Sequence, residues 1–329
     1  MATMTFAQAL NLALHEEMEK DRMGMIIGED IGAYGGIYRV TKDLLQRFGE
    51  KRVRSTPISE SGIIGSALGA ALTGTRTIAE LMYIDFAACA MDQIINQVAK
   101  IRYMSGGAAR VPLVIRTQGG GGRGNAAQHS QSLEALFFHI PGLKIVMPST
   151  PCDARGLLKT SIRSDDPVMF IEHKLLYETQ GEVPEEEYAL PLGKAAIRKP
   201  GRDISVVATS YMVLVALEAA DQLAGEGIDL EVIDPRSLVP LDTDCIVDSV
   251  KKTGRLIVIH EGCKRGGIGA EIACQVMEAA FDYLDAPIAR IGAWDVPIPY
   301  SLPLENAVIP DAESVKTAAR ELVGGGSGI

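Results

Sequence analysis

Three places along the chain put side chains capable of acid–base work directly after short, β-branched apolar runs. Val53–Ile58 is followed by Ser59-Glu60-Ser61-Gly62 and then by the small-residue helix Ile63–Thr73. Thr77–Leu81 leads into Tyr83-Ile84-Asp85-Phe86. Pro112–Gln118 leads into Gly119-Gly120-Gly121-Gly122-Arg123-Gly124, with Gln128-His129-Ser130-Gln131 beyond. Open parallel sheets bind ligands outside the carboxyl ends of their strands. If these runs are parallel strands of one sheet, its rim gathers a carboxylate, aromatic rings, a flexible glycine loop and an imidazole. Such a set can hold and move protons beside a bound molecule. Each residue also has a structural role open to it. Glu60 can favour the positive end of a helix dipole, Phe86 can belong to the core under an apolar helix, and His129 can serve as a structural hydrogen-bonder. Convergence on one rim is what favours function.

Other motifs fail on their spacing. Gly119, Gly121 and Gly124 satisfy G-x-G-x-x-G after a strand, the pattern of a dinucleotide site. No acidic residue follows at the ribose-reading distance, because the next run, Lys144–Met147, ends in Pro148. His260-Glu261 lacks the second histidine of a zinc-binding H-E-x-x-H, with Lys264 in its place. There is no G-x-S-x-G and no phosphate-binding P-loop. A self-contained nicotinamide or zinc enzyme is not expected.

The elements that must position these residues alternate along the chain. Apolar runs at Met25–Gly28, Val53–Ile58, Thr77–Tyr83, Pro112–Gln118, Lys144–Met147 and Val168–Glu172 are separated by helix-period segments. In Phe86–Met104, for example, Met91, Ile94, Ile95, Val98 and Ile101 keep helical spacing. A second alternating set follows at Ile204–Thr209, Leu230–Asp234, Arg255–His260 and Pro287–Ile291. The pattern predicts an α/β protein with two parallel-sheet domains, each sheet covered on both faces. Proline, glycine and the run Glu185-Glu186-Glu187 mark 181–200 as a linker between domains at 1–180 and 201–323, and 324–329 reads as a flexible tail.

Composition agrees with a large buried core: of 329 residues, 47% are hydrophobic and 22% charged. A net charge of −10 disfavours nucleic acid and anionic membrane as partners. No apolar run reaches the roughly 20 residues of a membrane span. The first residues open an amphipathic helix that soon meets Glu16, Glu17 and Glu19, so no signal peptide is expected. The cysteines, 5 in number and without a C-x-x-C pair, suit a reducing, cytoplasmic setting better than a disulfide or metal framework.

Several segments resemble the β subunit of the heteromeric E1 component of 2-oxo acid dehydrogenase complexes, a family that includes pyruvate, branched-chain and acetoin dehydrogenases. They are Thr56-Pro57-Ile58-Ser59-Glu60, Met91-Asp92-Gln93-Ile94-Ile95-Asn96, Tyr103-Met104-Ser105-Gly106-Gly107, Gln128-His129-Ser130-Gln131 and Pro141-Gly142-Leu143-Lys144. The resemblance implies a thiamine-diphosphate pyrimidine-binding domain followed by a transketolase-type C-terminal domain. It implies that Glu60 is the carboxylate that bonds pyrimidine N1′ and favours the reactive tautomer of the cofactor. It likewise implies that Phe86 stacks on the pyrimidine with Tyr83 nearby, and that His129 faces the substrate and helps pass the acyl group to lipoamide.

The family holds the diphosphate and its Mg2+ with a Gly-Asp-Gly motif that this chain lacks. The resemblance therefore implies an α subunit that carries the motif, in an α2β2 heterotetramer with the cofactor shared. It further implies a dihydrolipoyl acyltransferase (E2) partner with a lipoyl domain. A potassium ion on main-chain carbonyls of Leu113, Ser161, Ile162, Ser164 and Asp166 is also implied, with Ser164 standing where an acidic residue is common. A small donor, pyruvate or acetoin, is favoured over a branched-chain 2-oxo acid. The alternatives are the C-terminal subunit of a split transketolase, for which Arg102, Arg110, Arg116 and Arg123 could receive sugar phosphate, and a non-catalytic scaffold subunit.

Overall fold

The computed structural model describes residues 1–324; of the tail expected to be flexible, all but Gly324 lies outside the described residues. Among them no helix is long and apolar enough to cross a membrane. The chain separates into two units, one of residues 1–119 and 136–192, the other of residues 120–135 and those from 193 onward. The glycine loop and His129, which the sequence places with the first domain, thus cluster with the second unit.

In the first unit β1 (Ala2–Thr5) pairs antiparallel with β8 (Gln180–Val183). The main sheet comprises β2 (Met25–Gly28), β3 (Val53–Ser55), β4 (Thr77–Leu81), β5 (Leu113–Gly119), β6 (Lys144–Val146) and β7 (Val168–His173). Its order is β6-β7-β5-β4-β2-β3, and every one of these pairings is parallel. β5 and β7 are buried from end to end, as a parallel sheet with both faces covered requires. β3 stops at Ser55, short of the predicted Ile58, because Pro57 cannot donate to a ladder.

Helix α1 (Phe6–Lys20) starts at a capping box in which Gln8 N–H donates to Thr5 Oγ1 (3.1 Å) and Thr5 N–H to Gln8 Oε1 (2.8 Å). The single turn α2 (Leu44–Phe48) precedes β3, and α3 (Glu60–Leu72) follows it. The region predicted as one helix over 86–104 is broken. It is a 3-10 segment at Ile84–Ala90, a π segment at Asp92–Val98 and a short α4 (Ile101–Met104). In the π segment Ala99 N–H reaches back five residues to Ile94 C=O (3.1 Å), a change of winding that 3–4 spacing of apolar residues does not reveal. After α5 (Glu134–Phe138), α6 (Pro151–Arg163) starts with Thr150 as cap and proline in its first turn. It buries Arg155 and Lys159 because Glu16 of α1 takes both, at 2.6 and 2.8 Å.

The stretch 181–200 is built rather than loose. It begins inside β8; Leu190 N–H donates to Gly156 C=O (3.1 Å) and Tyr188 O–H to Cys152 C=O (2.7 Å), both on α6. Gly156 is what admits them, since a Cβ there would stand 2.7 Å from both Leu190 and Tyr188. These partners are distant in sequence, and local composition carries no trace of them.

The second unit begins with β9 (Ala196–Lys199), the antiparallel edge of a sheet ordered β14-β13-β10-β11-β9. The other members, β10 (Ile204–Ala208), β11 (Leu230–Asp234), β13 (Leu256–Cys263) and β14 (Ala289–Ala293), pair in parallel. Alternate residues face opposite layers. Val206, Val232 and Ile257 pack under α7 (Met212–Ala224) and α11 (Ala312–Val323). Val207, Ile233 and Val258 pack under α8 (Thr243–Thr253), which follows the short strand β12 (Ser237–Val239), and α9 (Ile268–Ala280). Ahead of α11, α10 (Leu302–Val308) carries the fully buried Glu305.

Candidate active site

At the carboxyl edge of the first unit's sheet, β2, β3, β4 and β7 each hand over to a residue with chemistry. β2 ends at Gly28, paired with Glu80; a Cβ there would meet Glu80 C=O at 2.8 Å, so only glycine permits the approach. Glu29 follows. Its carboxyl is pushed above the usual range by burial and by the negative charges of Glu60 and Asp30. β3 hands over through Thr56-Pro57 to Glu60, the first residue of α3, which is half-buried and makes no hydrogen bond or ion pair among the described residues. Its flanking Ser59 places no side chain on the helix end.

β4 hands over to Tyr83, a non-glycine residue with φ +67° and ψ 136°, a backbone conformation that costs energy and recurs at functional sites. The Tyr83 and Phe86 rings meet edge to face, 6.2 Å between centroids. The Lys174 ammonium, just past β7, sits 5.3 Å from the Tyr83 centroid and is fully buried. Glu60, Tyr83 and Phe86 thus stand on one rim, as expected from the sequence. Glu29 and Lys174 were missed, although the same strand-end rule applied to β2 and β7 points at both.

Beneath this rim lies a buried ionic cluster. Arg116 on β5 bonds both oxygens of Glu172 on β7 (2.7 and 2.8 Å) and Glu80 on β4 (2.6 Å). Tyr177 O–H donates to Glu172 (2.6 Å), and its ring stacks on Tyr38 with centroids 4.2 Å apart. Burial pushes the Glu80 carboxyl up even though Arg116 opposes the shift. For Arg116 burial acts downward, but Glu172 and Glu80 outweigh it and hold the guanidinium charged.

His129 belongs to the second unit, in a loop closed at its base by Gly120 N–H donating to Gln131 C=O (3.1 Å). It is half-buried, and Ala126, three residues earlier, has φ +60°. Gly121 N–H donates to Glu261 (2.7 Å), and Gly122 and Gly124 N–H donate to the two oxygens of Glu305 (2.9 and 2.8 Å). Just past the loop, Glu134 is almost fully buried, with one carboxyl oxygen lacking a partner among the described residues. Burial, with Glu261 nearby, pushes its carboxyl up to about 7. His260 is pushed down to about 4, by burial first and then by Arg290. Its ring occupies the space that a Cβ on Gly267 or Gly269 would need, at 2.2 and 3.0 Å. That packing accounts for the two glycines.

Four of the carbonyls expected to hold potassium already accept hydrogen bonds, that of Asp166 from Ser164 O–H (3.0 Å). Ile162 and Ser164 C=O accept from Arg76 (3.1 and 3.0 Å), and Ser161 C=O accepts from Ser164 N–H (3.2 Å). A carbonyl oxygen has two lone pairs, so an ion at this site would share only Ile162 and Ser164 with the Arg76 guanidinium. Three of the arginines considered as sugar-phosphate receivers are also engaged: Arg116 as above, Arg102 with Asp166, and Arg110 with Asp165.

Comparison with known proteins gives this arrangement a family. Residues 2–180 match the transketolase pyrimidine-binding domain, and residues 193–315 match the transketolase C-terminal domain. The chain is 49% identical over 333 residues to acetoin:2,6-dichlorophenolindophenol oxidoreductase subunit beta of Bacillus subtilis, covering 98% of this chain and 97% of that one. It is 47% identical to pyruvate dehydrogenase E1 component subunit beta of Rhizobium meliloti (97% and 70% covered). Identity to 2-oxoisovalerate dehydrogenase subunit beta of Bacillus subtilis is 45% (98% and 99% covered). A solved split-gene transketolase, an inactive β4 tetramer, shares the fold with a TM-score of 0.79, 24% identity and 98% of both chains covered. This kinship implies dependence on thiamine diphosphate. The chain belongs to the transketolase-type family of E1 β subunits, the β chains of heteromeric pyruvate and acetoin dehydrogenases.

Proposed function

We propose that this chain holds the pyrimidine half of a thiamine-diphosphate site and that an α subunit completes it in an α2β2 heterotetramer. The observation that carries the reading is Glu60. It is a half-buried carboxylate with no hydrogen-bond or ion-pair partner among the described residues, at the same carboxyl edge of the parallel sheet as the Tyr83–Phe86 ring pair. Such a group is an acceptor in search of a donor, and a protonated ring nitrogen is the donor that suits it.

Glu60 holds a proton at pyrimidine N1′. Phe86 offers its face to the flat ring, with Tyr83 set edge to face against it. Glu29 carries a carboxyl raised above the usual range by burial, then by the charges of Glu60 and Asp30. His129 holds a proton at the substrate end and gives it up as the acyl group leaves for the lipoyl group. When bound, thiamine diphosphate supplies the electron sink that makes the bond next to the substrate carbonyl cleavable. The sequence has no Gly-Asp-Gly, so the diphosphate and its Mg2+ belong to the α subunit.

The substrate in this reading is pyruvate or acetoin, and the acyl unit passes to lipoyl-E2. Relatives named for both substrates stand at 47% and 49% identity, and one named for 2-oxoisovalerate at 45%. The internal pairing of Arg102, Arg110 and Arg116 weighs against sugar-phosphate transfer. Exposed thiols at Cys89, Cys263 and Cys274 suit a reducing compartment such as the cytoplasm.

The test is the heterotetramer reconstituted with its α subunit. Glu60→Gln is expected to lower kcat with pyruvate or acetoin at least a hundredfold while the assembly stays intact by size-exclusion chromatography. Turnover close to that of the unmodified enzyme would remove Glu60 from the chemistry.

A further inference from the structure

The second unit carries two buried carboxylates that have no role in the scheme above. Glu305 on α10 is fully buried, and no cation partners it among the described residues. Its charge is met by main-chain N–H groups of the glycine loop, Gly122 at 2.9 Å on one oxygen and Gly124 at 2.8 Å on the other. Glu261 on β13 ties the two legs of the same loop together, because one of its oxygens accepts from Gly121 N–H (2.7 Å) and from Ser132 O–H (3.1 Å). Charge-assisted bonds of this kind are stronger than neutral ones.

The loop needs such anchors. Gly120, Gly122 and Gly124 all have positive φ, at +87°, +87° and +64°, and glycine gives up more conformational freedom on ordering than any other residue. The seating is also tight, since a Cβ on Gly121 would meet Ile309 at 2.3 Å and Glu305 at 3.0 Å. His129 hangs between the two legs, five residues beyond Gly124 and two before Gln131, whose carbonyl closes the base.

We infer that Glu305 and Glu261 are positioning residues, which fix the glycine loop and through it the reach of His129 toward the substrate. The C-terminal unit then sets the geometry of a catalytic group as well as contributing to assembly. The inference rests on the role proposed for His129, and the experiment separates the two.

In the reconstituted heterotetramer, His129→Ala, Glu305→Gln and the double variant are compared for lipoyl acylation. Hydrogen exchange of the 120–131 amides is followed in the same samples. Glu305→Gln is expected to lower kcat about ten- to a hundredfold, the scale of a misplaced catalytic group, with KM nearly unchanged and faster loop exchange. The double variant is expected to be no slower than His129→Ala alone, because a group that acts through His129 has nothing left to position. Independent, multiplicative losses in the double variant would overturn the inference. So would an unchanged kcat in Glu305→Gln when His129→Ala is inactive. If His129→Ala itself keeps full activity, it is the proposed role of His129 that falls. Should Glu305→Gln fail to assemble, Glu305→Asp keeps the charge but retracts it by one methylene. It must then show the same non-additivity with His129→Ala, and additive losses there would equally sink the inference.

Discussion

Both units bury glutamates under the loops that gather at their sheets, and they neutralise them in opposite ways. In the first unit Glu80 and Glu172 close on a single guanidinium, Arg116, with Tyr177 as a further donor. In the second, Glu305 accepts from main-chain N–H groups, Glu261 from one main-chain N–H and the Ser132 hydroxyl, and Glu134 has an oxygen with no donor among the described residues. A guanidinium keeps its full charge at any working pH, so the first cluster can hold both carboxylates near one another. Main-chain donors bring only partial charge, and the third carboxyl of the second cluster, Glu134, is pushed up to about 7, by burial first and to a lesser degree by the charge of Glu261. The first cluster is a rigid brace under the rim. The second is a clamp on a loop, with the buried Glu134 carboxyl, which titrates at about 7, just past that loop.

The contrast is most exposed to attack at Arg116. Arg116→Leu leaves two carboxylates buried without a cation and is expected to cost about 3–5 kcal/mol, read as a fall in urea midpoint. The loss should be greater at pH 8 than at pH 5, where Glu80, which burial already pushes up, can protonate instead. A midpoint within error of the unmodified chain would remove the guanidinium as the brace.

Glu134 sharpens the other side of the comparison. Its folded carboxyl titrates at about 7 and its unfolded one near 4.5, so the folded state retains a proton that the unfolded chain has released. Its contribution is therefore fully present below pH 4.5, is lost as pH rises toward 7, and stays lost above, about 3 kcal/mol in all as an upper figure. His260 has the reverse sign: its folded pKa of about 4 lies below 6.5, so its contribution is lost as pH falls from 6.5 toward 4. The two partly cancel. Glu134→Gln should cancel the first slope alone, and the difference in melting temperature between variant and parent should grow from pH 5 to pH 8. A constant difference would mean that Glu134 is ionised when folded.

The smallest effect is expected at Tyr177. Tyr177→Phe keeps the stack on Tyr38 and removes one donor to a carboxylate still held twice by Arg116, at a cost of about 1–2 kcal/mol. A loss as large as that at Arg116 would make the phenol an equal member of the brace.

Much of this was legible in the sequence, because strand runs such as Thr77–Leu81 and Leu230–Asp234 are short, β-branched and set off by turns. Glu60, Tyr83 and Phe86 follow from the rule that parallel strands present ligands at their carboxyl ends. Arg116 and Glu172 stood in plain view as charges inside buried strands, yet which partner each takes depends on the order β7-β5-β4, and strand order is not written locally. The π segment at Asp92–Val98 and the seating of Tyr188 and Leu190 on α6 were hidden for a similar reason. Tertiary contacts decided them against local spacing and composition. The Glu305 clamp is the hardest to read of all, since its donors are backbone atoms more than 180 residues away.

The passage of residues 120–135 into the second unit bears on how such chains can be cut and recombined. A fragment ending near Leu192 keeps His129 in its sequence but discards the seat for the loop that carries it. A chimera that exchanges the C-terminal half of this chain for that of a relative will graft cleanly only if the donor half brings its own counterparts of Glu261 and Glu305. For protein engineering, the modular boundary runs through three crossings of the polypeptide, and none of them coincides with a single splice point.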